Sequence, residues 1–150
     1  MQFVTELKKI LIFLVKSYFV KGVRFERQLL HKLWDNGFAA IRSPASGAIS
    51  YPVPDIIAGN GKRFLAIEVK MRKSLPLYLK RQEIKELVMF STLFGAEPFV
   101  AIKILKSDWR FVSVSKLKET NKGYKVDEEV YNLSIDFNEL IGKSIQKRLE

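Results

Sequence analysis

Residues 51–70, with the sequence YPVPDIIAGNGKRFLAIEVK, decide the fold that this chain is expected to adopt. Asp55 opens a short apolar segment, residues 56–58, that has the composition of a β-strand. The Gly-Asn-Gly sequence of residues 59–61 tolerates the positive φ angles of a hairpin turn. A second apolar segment, residues 63–70, follows the turn directly. The stretch therefore predicts a β-hairpin.

Two charged residues share one face of the second predicted strand. Because side chains alternate along a β-strand, Glu68 and Lys70 point to the same side of it. A charged pair on an otherwise apolar strand is costly to bury, and such pairs are rarely buried without a use. With Asp55 on the neighbouring strand, the pair indicates a metal-dependent nuclease centre.

Composition limits the class of protein. A chain of 150 residues is long enough for one domain with a substantial core, and its 47% hydrophobic content excludes a disordered chain. The absence of cysteine excludes disulfides and thiolate metal sites. The net charge of +10 favours a polyanionic partner, which is either nucleic acid or an anionic membrane. No cleavable signal is evident, so a cytoplasmic location is expected.

The N-terminal region has the apolar periodicity of a helix over residues 2–20, and Gly22 is expected to end it. Residues 1–20 are therefore treated as an amphipathic helical extension, separate from a domain formed by residues 21–150. Three interpretations of its apolar face remain open. Packing against its own domain is favoured, followed by packing against a second subunit or another protein, and membrane-surface contact is the least favoured.

A second helix is predicted over residues 23–36, followed by a strand over residues 38–42 and a mobile loop over residues 43–53. Glu26 lies beside the apolar stripe of this helix, whereas most helix glutamates are solvated. His31 lies on the polar side and is expected to face solvent. The loop leads directly into Asp55, so it borders any site built there.

Basic residues cluster around the predicted site. Residues 62–81 contain seven basic residues and one acid. A run of charge is usually only a solvated surface, but its position next to two acids favours contact with phosphates. The segment between the hairpin and the next helix is interpreted as a basic connector with four candidate DNA contacts, which are Arg72, Lys73, Lys80 and Arg81.

The helix predicted over residues 81–94 is apolar around more of its circumference than one core can cover, which indicates a subunit interface. Strands are expected over residues 98–105 and 109–114. Residues 115–122 are interpreted as a charged connector and residues 124–133 as a polar segment with one short strand. A last helix, residues 137–149, is expected to begin after Ser134 or Asp136 as its cap.

Three segments together resemble the archaeal Holliday junction resolvases. They are KGVRFERQLLHKLWDNGFAAIRSPASG, PDIIAGNGKRFLAIEVK and FSTLFGAEPFVAIKILKSDWRFVSV, and the resemblance covers about residues 21–117. It implies a nuclease of the PD-(D/E)xK class with an α/β fold, in which a restriction-endonuclease-like core has a central mixed β-sheet flanked by helices. It also implies that four-way junction DNA is the substrate, in recombination and repair. Residues 1–20 depart from the family pattern, so no role is transferred to them.

The resemblance also implies roles for single residues. Glu26, Asp55 and Glu68 match the metal-binding acids, Lys70 matches the motif lysine, and the carbonyl of Val69 is expected to complete the metal site. Arg27 and Arg42 match basic positions that contact DNA or the scissile phosphate, and Ser46 matches a serine of the mobile loop. Phe90 and Phe94 match aromatic positions of the family's dimer surface.

The expected cofactor is Mg²⁺, for which Mn²⁺ can substitute, because hard cations prefer carboxylate oxygens and activate water for phosphodiester hydrolysis. Lys70 is expected either to hold the nucleophile or to help deprotonate it. A four-way junction is two-fold symmetric, so a homodimer with one site on each side is expected, with no obligate small-molecule ligand. Two alternatives stay open: another PD-(D/E)xK DNase that acts on non-junction DNA, and a non-catalytic junction-binding protein.

Overall fold

A computed structural model describes residues 2–44 and 50–143 of the chain. The predicted hairpin forms the centre of a five-stranded mixed sheet with the order β1-β2-β3-β5-β6. All neighbouring strands are antiparallel except β3 and β5, which are parallel. The strands are β1 (Ala39–Arg42), β2 (Ile56–Gly59), β3 (Phe64–Arg72), β5 (Glu97–Ile104) and β6 (Arg110–Ser113). Helices pack on both faces of this sheet, so the predicted α/β fold with a central mixed sheet is confirmed.

Strand β5 shows how the sheet divides the core. Phe99 and Ala101 pack on one face with Leu29 of the first helix, whereas Val100 and Ile102 pack on the other face. A parallel strand that is covered on both sides is expected to be apolar at successive positions, as this one is. The sheet is therefore the shared wall of two hydrophobic clusters.

The first helix, α1 (Gln2–Asp35), is continuous, so the expectation that Gly22 ends a first helix is wrong. A single glycine within a helix costs only about 1 kcal/mol relative to alanine, which the long helix on either side can offset. The helix also runs across the proposed boundary between residues 1–20 and 21–150. The division of the chain into an extension and a domain at this boundary stays a prediction. Leu29 and Leu33 anchor its C-terminal half in the core, and His31 faces solvent as expected.

The N-terminal part of α1 does not pack against the domain. Every side chain from Gln2 to Leu14 is exposed, including Phe3 at 75% and Phe13 at 72%. The favoured interpretation, packing against its own domain, is therefore wrong for these side chains. In the portion of the chain that the structure describes, no helix has the length and apolar character needed to cross a membrane.

A second, three-stranded sheet with the order β4-β8-β7 lies beside the main one. It consists of β4 (Leu77–Lys80), β7 (Lys118–Thr120) and β8 (Gly123–Val126). The expected connectors at residues 72–81 and 115–122 thus each contain a strand. Local sequence did not indicate them because their pairing with β8 is what stabilises them, and Leu77 and Leu79 point into the second hydrophobic cluster.

The helix α2 (Arg81–Phe94) has the bounds that the sequence predicts and ends at Gly95, which has a left-handed conformation with φ of 85°. A 3₁₀ turn, η1 (Val114–Lys116), and two short helices, α3 (Glu128–Leu133) and α4 (Phe137–Leu140), follow. Asp136 caps α4 by accepting a hydrogen bond from the main-chain N–H of Glu139. Helix α4 ends at Leu140, just before Gly142 with its positive φ of 83°, so the helix predicted over residues 137–149 is interrupted there; residues 144–149 lie outside the described residues.

Candidate active site

The β2–β3 hairpin brings two acids together at one end of the sheet. Asp55 lies immediately before β2, and Glu68 lies in the middle of β3. The main-chain N–H of Val69 donates a hydrogen bond of 2.8 Å to Oδ2 of Asp55. The carbonyl of Asp55 in turn accepts a 2.9 Å hydrogen bond from the N–H of Ser43, which follows β1. Asp55 is therefore fixed from both neighbouring strands.

Glu68 has a strongly perturbed acidity. Its pKa is raised to about 9, first by burial and then by the charge of Asp55, a side-chain hydrogen bond with Asp55 and the charge of Glu83. Lys70 opposes this shift. The raised pKa favours the protonated form of the Glu68 carboxyl at neutral pH, and its O–H can donate a hydrogen bond to Asp55.

Glu26 joins these acids from the buried half of α1. Its Oε2 lies 3.5 Å from Nη1 of Arg42, at the end of β1, and both side chains are about three-quarters buried. Burial and the charge of Asp55 raise the pKa of Glu26, while Arg42 lowers it. Nη1 of Arg42 is buried and forms no hydrogen bond within the described parts of the chain. Glu26 and Arg42 thus face the same cluster as Asp55.

Lys70 points to an acid that the sequence did not indicate. Its Nζ donates a hydrogen bond to Oε1 of Glu83, and the two side chains form an ion pair that is only 20–25% exposed. Glu83 lies in the first turn of α2, thirteen residues after Lys70. The sequence contains no motif that singles it out, because its role depends on the packing of α2 against β3. The only local signal was an acid directly after a basic run.

The predicted DNA-contacting residues lie in different settings. Arg27, Arg72, Lys73 and Lys80 are exposed. Arg81 is also exposed, but its Nη1 lies 2.7 Å from Oε1 of Glu119 and its Nη2 donates a 2.9 Å hydrogen bond to the carbonyl of Thr120. Arg81 therefore holds α2 to the small sheet. Ser46 lies outside the described residues.

An apolar surface surrounds Phe94 at the C-terminal end of α2. The ring of Phe90 stacks on that of Phe94 with a centroid distance of 5.3 Å, and Phe64 of β3 makes an edge contact at 6.4 Å. Apolar grooves lie on both sides of Phe94. They are lined mainly by Trp34, Ile41, Ile57 and Phe64 on one side and by Tyr51, Val53, Met89 and Leu93 on the other. We call this set of residues the Phe94 surface.

The sequence had indicated the part of this surface that the helix of residues 81–94 contributes, but not the residues that other elements add to it. Ile41 is 64% exposed and Leu93 84% exposed. The signal that could have identified Ile41 is the alternation of side chains along β1, which places this apolar residue on the face opposite the buried Ala40. An apolar residue on the outward face of a strand is the pattern expected for an interface.

The acids have the chemistry of a site for a hard divalent cation. Glu26, Asp55 and Glu68 supply carboxylate oxygens, and the pKa values of both glutamates are raised, first by burial and then by the negative charge of Asp55. A bound cation would offset that negative charge. Within residues 2–44 and 50–143, no three acidic, histidine or cysteine side chains already stand at ligand spacing, so ligation by all three acids requires side-chain rotation.

Comparisons with known proteins agree with this architecture. A family model described as archaeal Holliday junction resolvase (Hjc) matches residues 18–149. The chain is 54% identical over 128 residues to a crossover junction endodeoxyribonuclease Hjc of Archaeoglobus fulgidus, covering 85% of this chain and 94% of that protein. It is 35% identical over 130 residues to the protein of the same name from Methanocaldococcus jannaschii, covering 87% and 93%.

A solved structure gives the same result for the fold. The 1.6 Å structure of Archaeoglobus fulgidus Hjc, described as a Holliday junction resolvase from an archaeal hyperthermophile, superposes with a TM-score of 0.78 at 53% sequence identity. The superposition covers 81% of this chain and 100% of that one.

Proposed function

The chain belongs to the archaeal Holliday junction resolvase family, and from this premise we propose that it is a structure-specific endonuclease that resolves four-way DNA junctions by paired, metal-dependent phosphodiester hydrolysis in recombination and repair. The observation that carries the proposal is the convergence of three acids at one end of the central sheet. Glu26 comes from α1, Asp55 from the residue before β2 and Glu68 from the middle of β3, and the charge of Asp55 raises the pKa of both glutamates.

Mg²⁺, or Mn²⁺ in its place, is the proposed cofactor. When bound, such a cation lowers the pKa of coordinated water and stabilises charge on the phosphoryl oxygens. Glu26, Asp55 and Glu68 would hold it, with the carbonyl of Val69 as a further oxygen ligand. Asp55 is the best prepared of these ligands, because hydrogen bonds from two neighbouring strands fix its position.

Two basic side chains complete the site. Arg42 has a buried Nη1 without a hydrogen-bond partner in the described residues, so it can donate a hydrogen bond to a phosphate oxygen of the substrate. Lys70 lies on the same face of β3 as Glu68, where it can hold the attacking water or remove its proton. Both residues would act on the scissile phosphate, whereas Arg27 on α1 would contact the backbone beside it.

The exposed basic residues that adjoin the site would bind the phosphates of the junction arms. Arg72 is the last residue of the strand that carries Glu68, Lys73 follows it, and Lys80 ends β4. Ser46 belongs to the same proposed contact region. Arg81 would contribute less than the others because it is already engaged by Glu119 and Thr120. The sequence offers no obvious base-reading helix, so recognition would rest on shape and phosphate positions.

The Phe94 surface would form the interface of a homodimer. It combines exposed side chains of α2, β1 and β3 with two apolar grooves, which one subunit cannot cover by itself. An isologous contact would place the same surface of each subunit against the other and give one active site on each side of a two-fold axis. That arrangement matches the symmetry of a four-way junction.

The experiment that tests the function is cleavage of an immobile four-way junction with and without Mg²⁺. A linear duplex that carries the sequence of one junction arm serves as the matched substrate. We expect symmetric paired nicks in the junction only when the metal is present. Equal cutting of the linear duplex would identify a DNase that does not require a junction, and binding without cutting would identify a junction-binding protein.

A further inference from the structure

Glu83 is an acid at the edge of the proposed site, where it contacts Lys70. The proposed chemistry gives no reason for this contact. The two side chains form an ion pair, with Lys70 20% and Glu83 25% exposed. No other hydrogen bond from Nζ of Lys70 occurs among the described residues. Lys70 is therefore directed towards α2, and among the described residues its Nζ forms no hydrogen bond with Asp55 or Glu68.

The position of Glu83 is fixed by the packing of its helix. Ile84 and Leu87 of α2 are buried, and α2 packs against β3. These contacts determine the rotation of α2 about its axis, so that the side chain before Ile84 faces the strand that carries Lys70. A glutamate in a first turn is also favoured by the helix dipole, which gives Glu83 a second reason to stay ordered.

Lys70 needs such a restraint. A lysine carries a compact charge on a flexible four-carbon chain, and its free side chain samples many rotamers. A residue that acts on a reacting water or phosphate must stay close to one geometry, and a displacement of about 1 Å can cost a large factor in rate. A half-buried ion pair to a rigid helix restricts the lysine without removing its charge.

We infer that Glu83 is a positioning residue that holds the Lys70 ammonium in place for phosphodiester cleavage, and this inference rests on the proposed nuclease function. Glu83 does not itself touch the substrate. The alternative is that the ion pair only attaches α2 to β3 and contributes to stability.

The test uses Glu83→Ala, Glu83→Gln and a matched control, Glu86→Ala. Glu86 is an acid one turn along the same helix, where it accepts a 3.0 Å hydrogen bond from Gln82 and, among the described residues, forms no ion pair with a proposed site residue. Glutamine at position 83 keeps an oxygen that can accept a hydrogen bond from Lys70. It is therefore expected to recover part of what alanine loses.

The first measurement is independent of activity. Relaxation of the ¹³Cε nucleus of Lys70 in the metal-free, DNA-free protein reports the order of its side chain, with the signal assigned by its loss in Lys70→Arg. We expect a clear loss of order in Glu83→Ala, a partial loss in Glu83→Gln and no change in Glu86→Ala. Unchanged order in Glu83→Ala would overturn the inference, because Glu83 would then not restrain the lysine.

The second measurement separates binding from chemistry. Single-turnover cleavage at saturating junction should be about ten- to a hundredfold slower in Glu83→Ala, while junction affinity stays unchanged. Glu83→Gln should lie between Glu83→Ala and the unsubstituted protein, and Glu86→Ala should match the unsubstituted protein. If Glu83→Ala disorders Lys70 but cleaves at the normal rate, the positioning role is overturned.

The two proposals fail in different ways. If the unsubstituted protein does not cut the junction, the proposed function falls and the positioning role falls with it, although the relaxation data still report whether the ion pair holds Lys70. If the unsubstituted protein and Glu83→Ala cut equally well, only the role of Glu83 is overturned. A loss of rate in Glu86→Ala equal to that in Glu83→Ala would assign the effect to helix stability and overturn the inference.

Discussion

The main-chain N–H of Val69 donates a 2.8 Å hydrogen bond to the carboxylate of Asp55. This contact continues the hairpin beyond its last strand pair, Ile56 with Ile67, and replaces a main-chain acceptor with a side-chain oxygen. The register of the hairpin therefore sets the orientation of an acid in the site. A shift of one residue in that register would turn the apolar face of β3 outward and move the carboxylate away from Glu68.

The first prediction concerns Asp55. Asp55→Asn should abolish junction cleavage and leave junction binding nearly intact, because it removes a proposed metal ligand and no proposed phosphate contact. The amide oxygen can still accept the hydrogen bond from Val69, so the variant should remain folded. Cleavage and electrophoretic binding on the same junction provide the check, and Mg²⁺-dependent cutting by this variant would refute the metal-site assignment.

The second prediction concerns pH and Glu68. The pKa of Glu68 rises from 4.5 to about 9 on folding, so between these pH values the unfolded chain releases a proton that the folded protein retains. The contribution of Glu68 to the free energy of unfolding is therefore greatest below pH 4.5 and is lost as pH rises towards 9. In the metal-free protein, Glu68→Gln should flatten this dependence.

Thermal unfolding in EDTA at pH 6 and pH 8 measures the effect. At pH 8, Glu68→Gln should raise Tm by at least about 2–4 °C, the shift that 1 kcal/mol produces in a domain of this size. The matched control is Glu97→Gln, which changes an exposed acid in the pair with Arg63. If the two variants show the same pH dependence, the carboxyl of Glu68 is not protonated in the folded protein.

The third prediction concerns the basic surface. Junction binding should weaken steeply with salt, because lysine and arginine side chains release counterions from DNA. Replacing Arg72 and Lys73 by alanine should reduce the slope of log affinity against log salt by about one to two units. Lys8 and Lys9 lie on the exposed end of α1, and their replacement by alanine should leave the slope unchanged. An unchanged slope in the first variant would place the DNA track elsewhere.

The fourth prediction concerns assembly. Phe90→Glu should shift the protein towards monomer and remove paired incision, because a charge would interrupt the Phe94 surface twice in a symmetric contact. Leu93→Glu should act in the same way and disturbs folding less, since this side chain is 84% exposed in the single subunit.

Sedimentation of both variants tests this prediction. The control is Leu133→Glu, which changes an equally apolar and 75% exposed side chain on α3, outside the Phe94 surface. It should stay a dimer. If Phe90→Glu and Leu93→Glu also stay dimeric and cut in pairs, the interface lies elsewhere, and the exposed end of α1 becomes the next surface to test.

The parts of the fold that were predicted correctly have strong local signals. The hairpin turn contains Gly61 with a φ of 87°, and Gly95 ends α2 in a left-handed conformation, so glycine alone indicated where these elements end. Strand β4 was missed because it is short and pairs with β8, far along the chain, and β7 was missed because it has only three residues. The prediction that Gly22 ends a helix was wrong, because a single glycine does not interrupt this long helix.

The residues of the site likewise divide into those that local sequence indicates and those that only the packing of distant elements brings together. Asp55, Glu68 and Lys70 form a recognisable sequence pattern, and Glu26 was identified by its place beside an apolar stripe and by family resemblance. Glu83 was missed because only the packing of α2 against β3 brings it to Lys70. Only the part of the Phe94 surface that lies on α2 was predicted, because Trp34 and Ile41 belong to other elements that only the fold brings together.

The continuity of α1 through Gly22 has a mechanical consequence. The exposed turns from Gln2 to Leu14 and the turn that carries Glu26 belong to one rod, in which Leu14 and Glu26 are about 18 Å apart along the axis at a rise of 1.5 Å per residue. The buried side chains of Leu29 and Leu33 anchor the helix in the core. Because Glu26 lies between the outer turns and the buried Leu29, a force that tilts the outer turns would also displace this acid of the proposed active site.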